Sequence, residues 1–305
     1  MLIAALLVSS FIIFSALYVA PGNPIAVLSG GRSLPPQSVK LLEHRYHLDQ
    51  PFFTRYFEYI NGVVHGDLGY SIVHQQDVSR LVVARMGTTF ELVLYASTLI
   101  ILVGVGLGVI GGLRRGATDT GVVVISTISA AVPSFVAAIL LVSVFAVNLG
   151  WFPAQFNGTG GFDQFKHLTL PAIALAFSSM ALVARVTRTA VREEMQREHV
   201  QTAISRGIPW PAIVRRHVLR NAAIPITTVA GLTIASLIAL DSVVEIAFSL
   251  NGLGSYLVQS AQSNDFAVVQ GISFVLVAAF VIINTIVDLL YALLDPRVKL
   301  GAKAE

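Results

Sequence analysis

The stretch ELVLYASTLIILVGVGLGVIGGLRR, residues 91–115, decides the fold. Between Glu91 and the Arg114-Arg115 pair it carries 22 consecutive residues without a charge. At 1.5 Å per residue, about 20 apolar residues cross a bilayer core about 30 Å thick. The run therefore predicts a transmembrane helix that begins near Thr89 and ends at Leu113.

The composition agrees with a membrane protein. Of the 305 residues, 55% are hydrophobic and 12% are charged, and the mean hydropathy is +0.75. Soluble domains carry about a quarter charged residues. The net charge of +3 does not indicate nucleic-acid binding, because the basic residues fall in the loops between apolar runs. The chain has no cysteine, which excludes disulfides and thiolate chemistry.

Five more apolar runs surround this one, and together they predict an all-α membrane protein with about six transmembrane helices. Each run is long enough to cross a bilayer: Leu2–Val19, Thr120–Asn148 with Pro133 inside it, Leu168–Val186, Ala223–Ile246 and Val268–Leu290. The glycines at 104, 108 and 112 predict a close helix-packing face. We divide the chain into a first helix (1–20), an outer segment (21–86) and a five-helix core (87–305) with a long polar loop at about 188–222.

Loop charges orient this bundle. With both termini placed in the cytoplasm, the inside segments hold thirteen Lys and Arg residues, and the two short outside loops hold one. Positive charge favours the cytoplasmic side of short loops. The termini, the 114–119 loop and the 188–221 loop are therefore expected to face the cytoplasm.

The segment 21–86 is then extracytoplasmic, and it is too long for a simple connector. Its apolar residues follow a helical spacing on both sides of Pro51, which predicts a small helical cap. Two interpretations stay open: a passive cap packed on the bundle, or a docking surface for an external partner.

The loop at about 188–222 is basic and helix-compatible, and it is interrupted at Gly207-Ile208-Pro209-Trp210-Pro211. A glycine followed by two prolines ends one helix and begins another. The pattern predicts a helix, a tight turn and a second helix at the membrane surface. The alternative is an ordinary solvated loop that also meets anionic lipid.

The run HVQTAISRGIPWPAIVRRHVLRNAAIPI, residues 199–226, resembles the EAA loop of binding-protein-dependent ABC importer permeases. The motif's triplet reads Gln201-Thr202-Ala203, its glycine is Gly207, and its Ile-Pro pair is Ile224-Pro225. The triplet lacks the usual acidic residue and matches the looser form of the dipeptide, oligopeptide and nickel branch. The segments GDLGYS (66–71) and VDLLYALLDPRVK (287–299) resemble the same branch, and the likeness covers nearly the whole chain.

The resemblance implies a permease subunit that forms half of a peptide path in a bacterial cell membrane. Partners would be a second homologous permease, cytoplasmic ATPase subunits that bind ATP and Mg, an external substrate-binding protein, the peptide cargo and the lipid bilayer. The chain has no phosphate-binding GxxxxGK[ST] loop, so we expect it not to be an enzyme. The resemblance assigns ATPase coupling to one set of residues: Gln201, Thr202, Ala203, Arg206, Gly207, Ile208, Pro209, Arg215 and Arg216. It leaves the cargo open among dipeptides, oligopeptides, glutathione, haem and a nickel chelate.

Polar residues on the fifth predicted helix form a second candidate site. Asp241 and Glu245 lie four residues apart on one face, and Thr228 and Ser236 continue the polar character. Ionisable residues inside a membrane usually face a cavity or the bundle interior. These four residues either line the path or gate, or they are structural.

The seven histidines lie outside the predicted spans and predict no metal site.

Two other classes fit less well. A secondary transporter or channel, energised by ions, needs coupling charges near mid-bilayer and often internal repeats, which the sequence lacks. An intramembrane enzyme needs a Ser/His or paired Asp site within helices. No histidine lies in a predicted span, and Asp241 and Asp288 lie toward opposite membrane faces.

Overall fold

The computed structural model describes residues 2–19, 35–37, 39–40, 49–155, 158 and 160–294. Within them the regular secondary structure is helical apart from one two-stranded hairpin, β1 (Tyr70–Ser71) with β2 (Gln76–Asp77). The helices are α1 Leu2–Val19, α2 Phe52–Val64, α3 Val78–Leu113, α4 Ala117–Ala131, α5 Ser134–Asn148, α6 Gly161–Met195, α7 Glu198–Ser205, α8 (Trp210–Ile213, Val214–Val218 and Leu219–Ala247), α9 Leu253–Gln262 and α10 Phe266–Leu294.

Four helices in the described part of the chain are long and apolar enough to cross a membrane: α3, α6, α8 and α10. The pair α4 and α5 makes a fifth span if the two count as one, and α1 is a shorter apolar helix. The prediction of an all-helical membrane protein is therefore confirmed. The helices extend beyond the apolar runs at several ends, because charged residues such as Arg85 and Arg192 continue the helical backbone outside the apolar stretch.

The sequence predicts one helix over Thr120–Asn148 with a kink or entry turn at Pro133, and the continuous helix is wrong whereas the interruption at Pro133 is confirmed. The structure has two helices there, bent by 100° at Val132-Pro133. Val132 is extended, with φ −92° and ψ 116°. Proline disfavours the helical conformation of the residue before it, so the first helix ends at Ala131.

The residues divide into two compact units, Met1–Thr89 with Asn251–Val281, and Phe90–Leu250 with Ile282–Glu305. In the first unit, the start of α3 packs on α9 and α10 through buried Val78, Tyr256 and Ile272. The backbone amide of Leu253 donates a 2.8 Å hydrogen bond to Thr89 Oγ1. The start of α3, which follows the hairpin, is therefore held by packing and by a hydrogen bond within the first unit.

In the second unit, α6 is the most buried span, and the glycine face of α3 lies against it. A Cβ added at Gly108 would lie 2.4 Å from Thr187 Cβ, and one at Gly112 would lie 2.7 Å from Val191 Cβ. The predicted close packing at these glycines is confirmed. Of the outer segment's apolar pattern, residues 41–48 lie outside the described residues, and α2 is the part that the structure describes.

Candidate functional site: the exposed turn between α7 and α8

The turn after α7 has the hydrogen bonds of a Schellman motif. The amide of Gly207 donates to the Ile204 carbonyl at 3.0 Å, and the amide of Ile208 donates to the Ala203 carbonyl at 3.2 Å. Gly207 has φ +69°, the left-handed conformation in which a side chain is strained. The helix, tight turn and helix predicted from the Gly-Ile-Pro sequence are confirmed.

One face of this segment is buried. Val200 and Ala203 of α7 pack against Ile213 and Val218 of α8 and against Val191 of α6, all with 0–4% exposure. Through this apolar contact α7 packs against the ends of two long helices. Ala203, which the motif resemblance included among the coupling residues, therefore faces its own chain.

The other face is open. Most residues assigned to ATPase coupling by the resemblance are exposed on this segment: Gln201, Thr202, Arg206, Gly207, Pro209, Arg215 and Arg216. Ile208 is half-buried. A Cβ added at Gly207 would meet no atom of the chain within 4 Å, so the space beside this glycine is free.

Two apolar side chains on the open face were not singled out from the sequence. Ile204 is 42% exposed and Trp210 is 49% exposed. They flank the turn on its two helices. A Trp within the Gly-Ile-Pro-Trp-Pro run was the available signal, because aromatic residues are enriched in interface cores.

The second candidate site is only partly assembled. Glu245 is fully buried near the end of α8. Thr228 Oγ1 donates to the Ile224 carbonyl and Ser236 Oγ donates to the Thr233 carbonyl, so both hydroxyls are satisfied on their own helix. Asp241 lies in α8, and its side chain lies outside what the structure describes.

The positions along α8 separate these residues. Thr228 precedes Glu245 by 17 residues, which is about 25 Å of helix. They do not form one binding centre, and a role along a translocation path remains a prediction. Among the described residues, no group of three His, Asp or Glu residues is placed to hold a metal ion.

The long apolar helices define a multi-pass membrane protein with an exposed helical turn between two of its spans. Residues 104–300 match the model of the binding-protein-dependent transport system inner membrane component, and residues 1–93 match the model of its N-terminal region. The chain belongs to this family and is a multi-pass inner-membrane protein. As its membrane component, it is not the catalytic subunit of the system.

Known proteins of similar sequence agree. The chain is 34% identical over 302 residues to the dipeptide transport system permease protein DppB of Bacillus subtilis, covering 98% of this chain and 96% of that one. It is also 34% identical to the oligopeptide transport system permease protein AppB of the same organism, covering 95% and 93%. The solved structure of the MetNI methionine ABC transporter, in an inward-facing conformation, matches 70% of this chain and 96% of that chain at TM-score 0.57 and 17% identity. That likeness supports the fold.

Proposed function

We propose that this chain is the permease subunit of an ATP-driven peptide importer, and that the turn at Gly207 couples it to a separate ATPase. The observation that carries the coupling role is the exposed turn itself. A helix end with a left-handed glycine leaves Ile204 and Trp210 exposed beside open space. Apolar side chains held outward on a fixed backbone are suited to a protein cleft.

The partners follow from the family. A binding-protein-dependent system has an external substrate-binding protein and an ATPase. In our proposal, the ATPase binds ATP and Mg on the cytoplasmic side, where the loop charges place the 188–222 segment. A second, homologous permease supplies the other half of the path. Closure of the ATPase pair on ATP then pushes α7 and switches the bundle between outward and inward openings.

Peptide is the proposed cargo because the relatives with full-length coverage are dipeptide and oligopeptide permeases. The test is uptake in vesicles that hold this chain with its genomic permease, ATPase and binding-protein partners. We expect uptake of labelled di- to oligopeptides that requires ATP and persists when ion gradients are collapsed. Uptake of a nickel chelate or haem in place of peptide would reassign the cargo. Uptake that follows an ion gradient without ATP would favour the secondary transporter.

A further inference from the structure

A carboxylate at the end of α6 holds three helices together beside the coupling turn. Glu194 Oε1 lies 3.0 Å from Nδ2 of Asn221 on α8 and 3.0 Å from Nε2 of His199 on α7. Only 15% of the Glu194 side chain is exposed. A carboxylate that is mostly covered by its own chain is stabilised by polar partners, and these two side chains supply them.

The His199 tautomer with its hydrogen on Nε2 satisfies all three side chains at once. Asn221 Nδ2 has two hydrogens, which go to Glu194 Oε1 and, at 2.9 Å, to the His217 carbonyl. His199 Nε2 lies 3.3 Å from the same nitrogen and is left to donate its own hydrogen to Glu194. Glu194 therefore accepts one hydrogen bond from α7 and one from α8.

The same end of α6 also binds α4. Asp119, in the first turn of α4, accepts hydrogen bonds from Arg188 Nε and, at 2.6 Å, from Arg192 Nη1. The Asp119 side chain is 15% exposed, so this pair of charge-assisted bonds is largely shielded from water. The last two turns of α6 thus fix α4 on one side and α7 and α8 on the other.

The apolar contact under α7 does not set its position by itself. Val200 and Ala203 give attraction without direction, and the two residues Gln196 and Arg197 link α7 to α6 along the chain. Gln201 Nε2 of α7 also donates a 2.8 Å hydrogen bond to the Met195 carbonyl, which belongs to the last residue of α6. The hydrogen bonds to Glu194 are directional, so they fix α7 against sliding on that surface. These hydrogen bonds connect α7 to α6 and α8, the two helices that must move when the ATPase displaces the turn.

We propose that Glu194 is the positioning residue through which displacement of α7 reaches α6 and α8 during transport, with His199 and Asn221 as its two contacts. The proposal rests on the proposed coupling function of the Gly207 turn. In it, α7 and the ends of α6 and α8 move as one body. Removal of the Glu194 carboxylate leaves the outward surface of the turn intact and lets α7 yield when the ATPase pushes.

The first experiment compares Glu194→Ala with Glu193→Ala in the assembled transporter. Glu193 is the adjacent, exposed carboxylate and forms a matched control of equal charge. We expect Glu194→Ala to retain the ATPase in pull-down but to import about tenfold less peptide per ATP hydrolysed, since hydrogen bonds to a charged group are at stake. Glu193→Ala is expected to behave as the wild type. A wild-type ratio of peptide to ATP in Glu194→Ala overturns the proposal.

A crosslink tests the same link without relying on the stability of Glu194→Ala. The chain has no cysteine, so His199→Cys with Asn221→Cys introduces a unique pair across α7 and α8. We expect this double variant to lose coupled uptake and to regain it when a short bismaleimide joins the two thiols. Crosslinking that blocks uptake, or that leaves it low, overturns the proposal. Failure of the wild type and of Glu193→Ala to import peptide or bind the ATPase would instead refute the proposed function.

Discussion

Two helices in this molecule end in the same type of backbone turn, but one turn is buried and the other is exposed. The turn after α7 has Gly207 at φ +69°, and the turn after α9 has Asn264 at φ +55°. In the second, the Asp265 amide donates to the Ser260 carbonyl at 2.9 Å and the Asn264 amide donates to the Ala261 carbonyl at 3.2 Å. Both are Schellman motifs that lead into a long helix.

The turn after α9 is enclosed by its own unit. Asp265 is 2% exposed and accepts a hydrogen bond from Ser71 Oγ, which belongs to the hairpin. Tyr256 of α9 is buried, and the Arg85 guanidinium lies 3.7 Å from the centre of its ring. Burial raises the pKa of the Tyr256 phenol, which agrees with its enclosed position.

The turn after α7 has the reverse environment. Arg206, Gly207 and Pro209 are exposed, and Ile204 and Trp210 face outward. The comparison shows that the backbone motif does not by itself indicate function. One turn stabilises its own unit, whereas the other leaves a preformed surface, which we assign to the ATPase.

The largest effect on stability is expected at the enclosed turn. Asp265→Ala removes a buried acceptor and leaves Ser71 without this partner, so we expect a loss of about 2–3 kcal/mol. Asp77→Ala, which removes an exposed carboxylate paired with Arg80, is the control and should cost under about 1 kcal/mol. Thermal unfolding of the purified chain in detergent measures both. Equal effects would show that the enclosed turn is not held by its polar contacts.

A smaller effect separates backbone strain from partner contact at Gly207. The enclosed turn places Asn at the equivalent position, and Asn tolerates the left-handed conformation. We therefore expect Gly207→Asn to keep nearly normal stability and Gly207→Val to lose about 1–2 kcal/mol. Both side chains are expected to reduce ATPase attachment, because the free space beside Gly207 is where the partner would lie. Normal attachment in Gly207→Asn would mean that only the backbone matters.

The smallest stability change is expected on the open face. Ile204→Ser and Trp210→Ser alter exposed side chains, so the free energy of unfolding should change by no more than about 0.5 kcal/mol. Val200→Ser, on the buried face of the same segment, should destabilise the chain by more. Copurification of the ATPase should fall for the two exposed variants. Unchanged copurification would remove these side chains from the interface.

The sequence predicted the spans and the α7 turn because their signals are local. Long apolar runs identify the spans, and Gly207 with Pro209 marks the turn. Pro133 marked a kink or entry turn in the third predicted helix, but the size of the bend was not predictable, because an apolar run gives the same hydropathy whether its helix is continuous or broken. The left-handed turns at Ser249 and Asn264 were missed as well, since neither position carries glycine.

The other features that the sequence did not predict are contacts between residues far apart in the chain. Glu194 and Asn221 are 27 residues apart, and Ser71 and Asp265 are 194 apart. No short-range pattern joins such pairs. Thr228 and Ser236 fit a polar path by sequence, and their hydroxyls bond to their own helix, as Ser and Thr side chains within helices can.

The most direct measurement of the central claim uses Gly207→Asp in the complete transporter. Pull-down of the ATPase is measured beside peptide uptake in vesicles, and binding of the external protein serves as the control for correct insertion. We predict normal binding of the external protein together with lost ATPase attachment, or with ATP hydrolysis that no longer drives uptake. Because exposed ion pairs contribute about 0–1 kcal/mol, single Arg206→Ala, Arg215→Ala or Arg216→Ala variants should have milder effects. Wild-type attachment and uptake in Gly207→Asp would contradict the assignment of this turn as the coupling element.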